Sequence, residues 1–380
     1  MTEEMTSRQR VAMALAHRET DRVPADLGGV VTGIHRDAYN RLKEYWGIEE
    51  ETVLHDFKQQ LPRPCEEVLI RLGVDTRYVD SGGRGGDKVE VRETADSYFY
   101  TDAWDIEWRM PKHMPMYFDM VSNPMAEWTV ADMEAFEPPP TADAEGLAHL
   151  ETTARELHEN TQYAVVLFGS ASFFEFPWYL RKFENFLLDM VLNENFVNAL
   201  LNKLLQSHLE YWEAHLDVAA EYVDVIQVAD DYGHQDGPMM SLELFDKYVY
   251  PRQREVISYI KSRTDAPIML HSCGSIRQFI PRLIENGIDA INPVQVSATD
   301  MDPAELKAEF GDRIAFWGGI DTQQVLPHGT PEQVAAETRR IIDILGAGGG
   351  YVLNSVHNIQ ADVPPENIIA MFQTARDYHG

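Results

Sequence analysis

The sequence predicts one (β/α)8 barrel over residues 1–380, with an N-terminal helical extension and a hairpin insertion. Two observations lead there. Continuous apolar runs such as YAVVLFGS (163–170), VDVIQVADDYG (223–233) and APIMLHSCGS (266–275) alternate with helix-like segments, the pattern of a parallel sheet covered by helices. Each run also ends in polar or small residues, where a barrel of this kind collects its chemistry. A doubly wound open sheet is the alternative, but no GxGxxG follows an early strand, which counts against a dinucleotide site.

The elements follow in order. Residues 7–17 form a helix capped by Ser7, with Val11, Met13 and Leu15 on an apolar stripe and Arg8 and Arg10 facing out. TDRVPADLGG then extends and turns at Pro24 and the Gly28-Gly29 pair. Residues 35–72 read as mostly helical and complete an N-terminal segment over 1–73. From 74 to 118, β-type residues broken by Gly and Asp clusters read as a strand plus hairpins. A proline-rich connection at 134–143 leads into a helix at 144–159. Strand 163–170, a long helical region 178–219, strand 223–233 and helix 241–263 come next. Strand 266–275, helix 276–286, strand 289–295 and the short helix MDPAELKAEFG follow. Strand 314–321, helix PEQVAAETRRIIDIL, strand 350–360 and a final helix with proline at its start complete the chain.

Composition narrows the function. A formal net charge of −30 repels phosphate backbones, so nucleic acid is excluded as a partner. Two cysteines do not make a disulfide framework, which points to the reducing cytoplasm. No apolar run is long enough to span a membrane, and MTEEMTSRQR has no apolar core of a secretory signal. The oligomeric state is not legible; a homodimer is one option.

The strand ends carry the chemistry. In order they read Gly169-Ser170 with Glu175 close behind, Ala229-Asp230-Asp231, His271-Ser272-Cys273-Gly274, Asn292-Pro293-Val294-Gln295, Gly318-Gly319-Ile320-Asp321 and Asn354-Ser355-Val356-His357-Asn358. His271 and Cys273 stand two apart, so on an extended chain both side chains point the same way. Nitrogen and thiolate together suit Zn2+. A catalytic zinc needs a third protein ligand. Cys65 lies in the N-terminal helical segment, so His357 is the best candidate; Asp230, Asp231, Glu175 or, more weakly, Gln295 would complete the shell. Structural roles compete: Cys273 as a small hydrophobe, His357 as a loop anchor, Asp230-Asp231 and Asp321 as caps. Phe316 and Trp317 read as packing. Phe173, Phe174, Phe176, Trp178 and Tyr179 divide between core and pocket lining. Phe173, Phe174, Gln227, Asn292 and Asn354 are the expected substrate contacts.

The stretches 6–26, 230–252, 271–295, 316–334 and 357–368 together resemble the uroporphyrinogen decarboxylase superfamily over essentially the whole chain. The resemblance implies a (β/α)8 barrel. True uroporphyrinogen decarboxylases work without metal and carry an N-terminal signature of the sense R-Q-A-G-R; RVPADLGGVVTGIHRD lacks it. The other branch, the corrinoid-linked methyltransferases, carries H-x-C-G at a strand end, as His271, Cys273 and Gly274 do here. Its zinc–thiol members have a cysteine at the end of the last strand, where this chain has NSVHNIQ and His357.

The expectation is a zinc-dependent methyltransferase. It would move a methyl group from a small methylated substrate, such as an aryl methyl ether or methanol, to cob(I)alamin on a corrinoid protein. O-demethylation is favoured, with zinc on His271, Cys273 and His357 and with Asp230, Asp231 and Glu175 orienting substrate or protonating the leaving group. The competing expectation is a metal-free decarboxylase or lyase, with Arg22, Arg36 and Arg277 as the available partners for substrate carboxylates. A non-catalytic corrinoid-binding scaffold is a third.

Overall fold

The computed structural model describes residues 5–82 and 89–379. Its centre is a curled parallel sheet of seven strands: β1 (Thr76–Val79), β2 (Ala164–Phe168), β3 (Val225–Ala229), β4 (Ile268–His271), β5 (Ala290–Asn292), β6 (Ala315–Trp317) and β7 (Tyr351–Val352). Each strand pairs with the next in sequence, with helices crossing between them, which is the winding of a (β/α)8 barrel.

Seven strands leave two open edges, and the extended Pro24–Leu27 stretch lies between them. Ala25 forms a parallel bridge with Leu353 beyond β7. The Asp26 amide donates to the Leu353 carbonyl at 2.9 Å, and Leu353 donates to the Pro24 carbonyl at 2.8 Å. On the other side the Asp75 amide, just before β1, donates to the Ala25 carbonyl at 2.8 Å. This short piece takes the eighth position. It is too brief to read as a strand, and Pro24 has no N–H to offer a ladder.

Two aspartates hold the closure. Asp26 is fully buried inside the barrel. Its carboxylate accepts from Thr76, from the Tyr78 hydroxyl at 3.0 Å and from the Trp317 indole at 2.9 Å. Burial pushes its carboxyl up to about 6, against the pull of those hydrogen bonds. Asp75 takes Arg10 and Arg22, each at 2.7 Å, and the Ser7 hydroxyl at 2.7 Å. Arg10 is therefore buried and anchors the helix Ser7–Leu15 below the barrel rather than facing out. Val11, Ala14 and Leu15 of that helix pack against Val166, Met269 and Trp317 and close the N-terminal end.

The sequence expectation also fails at the first cap, which is Thr6 rather than Ser7, and in two longer stretches. Residues 35–72 are two helices, Arg36–Trp46 and Glu66–Leu72, separated by a short antiparallel pair, Leu54–Asp56 with Leu61–Pro62. Gly47 ends the first helix in a left-handed conformation at φ 67°. The region 178–219 is three helices, Glu175–Arg181, Phe183–Leu192 and Glu194–Ala219. The first break is Lys182 at φ 77°; lysine is a good helix former, so no sequence signal marks it. The hairpin insertion is a four-stranded antiparallel sheet built on Ser97–Thr101 and Glu107–Pro111. Residues 83–88 of that expectation lie outside the described residues. Among the described residues no helix is long and apolar enough to cross a membrane.

Asp26→Ala would leave the buried Thr76 hydroxyl and Trp317 indole without this acceptor, at about 1–3 kcal/mol each, while Tyr78 keeps Thr32 at 2.9 Å. The expected loss is about 2 kcal/mol or more of unfolding free energy, read as a lower urea midpoint. An unchanged midpoint would mean that Asp26 does not hold the closure.

Candidate metal centre at the barrel mouth

His271 is the last residue of β4, in register with Ala229 on one side and Asn292 on the other. Its neighbour Asn292 fixes its tautomer. The Asn292 side-chain N–H donates to the Trp317 carbonyl at 3.1 Å, which leaves Oδ1 facing His271 Nδ1 at 2.5 Å. That oxygen only accepts, so Nδ1 carries the hydrogen and Nε2 keeps a lone pair. Cys273 Sγ lies 3.3 Å from that Nε2.

The chain then turns sharply. Gly274 has φ +80°, and a Cβ there would meet the Gly233 backbone at 2.3 Å, so glycine is required. The Gly274 amide donates to Gln295 Oε1 and the Cys273 amide to Asp231 Oδ1, both at 2.7 Å. Gln295 is thus occupied in holding the turn.

His357 approaches from beyond β7. Its loop is tied to residues 28–35: Asn358 accepts from the Gly33 amide at 2.6 Å and donates to the Val30 carbonyl at 3.0 Å. Ile34 and Ile359 form a parallel bridge. The His271 and His357 rings are 5.3 Å apart. One ligand atom each from His271, Cys273 and His357 lies within 4.8 Å of the others. His357 also lines a cavity of about 300 Å³ with His35, Tyr117 and Gln360.

The electrostatics suit a cation. Burial pushes His271 down to about 4, and burial with the neighbouring His271 pushes His357 down to about 3, so both imidazoles are neutral at pH 7. Burial, Asp231 and Glu175 push the Cys273 thiol up. The trio by itself is two neutral imidazoles and a protonated thiol, with lone pairs on one small volume. A divalent ion supplies the positive charge that the thiolate lacks and displaces its proton. The donor set fits Zn2+.

The carboxylates divide. Asp231 Oδ1 lies 3.8 Å from His271 Nε2, close enough to join the shell; burial pushes it up to about 6. Glu175 accepts from the Tyr179 hydroxyl; burial, then Asp231, push it up to about 7. Asp230 does not face the trio. Its carboxylate accepts from the Ser172 hydroxyl and the Phe173 and Glu175 amides at 2.7 Å and from the Phe174 amide at 3.0 Å. It therefore holds the start of the helix Glu175–Arg181, while the helix that follows it in sequence is capped by Ser241. Burial raises it to about 7.

The expected substrate contacts fare unevenly. Phe173 and Phe174 are fully buried, Phe173 edge-on to His208 at 5.2 Å and Phe174 6.1 Å from Phe186, so they are core. Asn354 donates to the Asp26 carbonyl and belongs to the closure. Asn292 orients His271. Gln227 is buried inside the barrel, and its Oε1 has no partner among the described residues. The sequence missed Lys58 and Trp108, which stand beside Tyr179; they come from segments whose approach to the mouth only the fold reveals. Arg22 is paired with Asp75, Arg36 with Asp37, and Arg277 with Glu305 and Glu309.

Fold and site define a closed α/β barrel with a candidate His–Cys–His metal centre at its C-terminal face. The profile of the uroporphyrinogen decarboxylase (URO-D) family matches residues 109–378, and the chain belongs to that family. The uroporphyrinogen decarboxylase of Psychromonas ingrahamii is 30% identical over 191 residues, 48% of this chain and 50% of that protein. That of Pseudoalteromonas atlantica is 26% identical over 283 residues, 70% of this chain and 75% of that protein. The chain thus spans about half the length of the first of these relatives. A methyltransferase from Methanosarcina mazei shares the fold, with a TM-score of 0.67 over 99% of this chain and 100% of that one, at 15% identity.

Asn292→Ala frees the His271 ring and its tautomer. Zn2+ affinity should fall about 10- to 100-fold, measured by competition with a chromophoric chelator. Unchanged affinity would remove Asn292 from the account of the site.

Proposed function

We propose that the chain is a zinc-dependent methyltransferase that moves a methyl group from a small methylated substrate, such as an aryl methyl ether or methanol, to cob(I)alamin on a corrinoid protein. The observation that carries this is the convergence of His271, Cys273 and His357 within 4.8 Å. Family membership and the fold shared with a protein described as a methyltransferase support it.

His271, Cys273 and His357 would hold the ion. When bound there, Zn2+ would supply Lewis acidity toward the oxygen of the substrate. Asn292 keeps the His271 lone pair aimed at the centre. The C–O bond breaks with both electrons on oxygen, and the product needs a proton. Glu175, raised to about 7, is poised to give it, and the Tyr179 hydroxyl bonds the carboxylate that results. Asp231 holds the Cys273 amide and with it the thiolate position. Asp230 is a positioning residue, since it fixes the backbone of Glu175.

The similarity to uroporphyrinogen decarboxylases favours a second function, a metal-free decarboxylase. The pairing of Arg22, Arg36 and Arg277 with carboxylates of the chain weighs against it.

The test is metal content and methyl transfer on anaerobically purified protein. About one zinc per chain is expected, with zinc and cob(I)alamin methylation lost together in Cys273→Ser and His357→Ala. Turnover should drop about 100-fold or more. Full activity in a zinc-free variant would sink the proposal.

A further inference from the structure

Lys58 stands apart among the described lysines. Lys43, Lys112, Lys182, Lys203, Lys247, Lys261 and Lys307 each have an ion pair or a hydrogen-bond acceptor. Among the described residues Lys58 has neither. It is nevertheless partly buried, and an ammonium has three N–H donors whose hydration is expensive to remove.

Its surroundings are organised. Lys58 Nζ lies 4.7 Å from the Trp108 ring centre and 5.4 Å from that of Tyr179. Those two rings meet nearly at right angles, 85°, with centres 5.9 Å apart. Tyr179 bonds Glu175, which neighbours Asp231 and so Cys273. The Lys58 charge is close enough to pull the Glu175 and Asp231 carboxyls down. Two aromatic rings therefore lead from a cation with no close anionic partner among the described residues to the candidate metal centre. The nearby carboxylates have donors of their own in Tyr179 and the Cys273 amide, which leaves the Lys58 N–H groups available to an acceptor brought in by a ligand.

We propose that Lys58 is the specificity-determining residue of the mouth and recognises a carboxylate carried on an aromatic ring, with Trp108 and Tyr179 flanking that ring. The methylated oxygen of the same substrate then faces His271, Cys273 and His357. The fate of the methyl group rests on the methyl-transfer function above; the recognition of the carboxylate does not. In a chain of net charge −30, one cation freed from internal pairing lets an anion enter where the overall field opposes it.

The test is equilibrium binding, by calorimetry, of 3-methoxybenzoate and its neutral analogue 3-methoxybenzamide. Wild-type protein should prefer the benzoate by about ten-fold or more. Lys58→Met should abolish that preference while keeping the apolar stem, and Lys58→Arg should restore most of it. Equal affinity for the two probes in wild-type protein, or a preference that survives Lys58→Met, would overturn the proposal. So would tighter binding of (3-methoxyphenyl)trimethylammonium than of the benzoate, which would assign the site to a cation held by Glu175 and Asp231. If Lys58→Met does not fold, the wild-type preference and its retention in Lys58→Arg decide. The same titration on His271→Ala separates the two proposals: a zinc-free variant that still prefers benzoate supports Lys58 whatever becomes of the methyl-transfer function.

Discussion

The barrel depends on how its two open edges are joined. β1 and β7 meet only through Pro24–Leu27, and that stretch is held by buried charge rather than by a long ladder. Asp26 gathers Thr76, Tyr78 and Trp317 from opposite sides of the barrel, and Asp75 gathers Arg10, Arg22 and Ser7 beneath it. Satisfied polar networks of this kind specify one arrangement, because a half-made version leaves unpaired groups in a low dielectric. The consequence reaches the mouth. The chain leaving Pro24–Leu27 runs through Gly33 and Ile34, which pin Asn358 and Ile359 and so set where His357 stands. A ligand on the last strand is thereby brought to one on the fourth.

At the centre itself, burial sets the protonation states. Both imidazoles are driven neutral, which leaves each with a lone pair to offer a metal. The same burial, with Asp231 and Glu175 nearby, pushes the Cys273 thiol up, so that a bound cation would have to displace its proton. Asn292 then decides which nitrogen of His271 faces inward. Glu175 and Asp231 share the surroundings of Cys273, yet their immediate partners differ: Tyr179 for one, the Cys273 amide for the other. Two carboxyls with distinct partners are thereby set in distinct environments, which is how one site can hold an acid and a base of different strength.

Much of this was legible in the sequence, for identifiable reasons. The alternation of apolar runs and helices placed the strands, and the polar residues at their ends placed the mouth, because both follow from local periodicity. The H-x-C spacing put His271 and Cys273 on one side of the chain, and the position of His357 at the end of the last strand made it the third partner. What escaped depends on long-range contact. Pro24–Leu27 is a strand only because Leu353 and Asp75 flank it. Phe173 and Phe174 look like pocket residues until His208 and Phe186 cover them. Asp230 was read as a cap, a catalytic group or a ligand; it caps, but on the loop after β2 and not on its own element. Lys58 carried no signal at all, since a single lysine in a short hairpin is ordinary until the fold sets it against Trp108 and Tyr179.

The central claim is that His271, Cys273 and His357 bind one zinc. The direct measurement is X-ray absorption at the zinc edge on anaerobically purified protein. The account predicts one sulfur at about 2.3 Å and two imidazole nitrogens at about 2.0 Å, with the sulfur shell gone in any metal that Cys273→Ser retains. A shell of oxygens alone, or no zinc in the wild-type protein, would contradict it and leave the His–Cys turn as a purely structural feature.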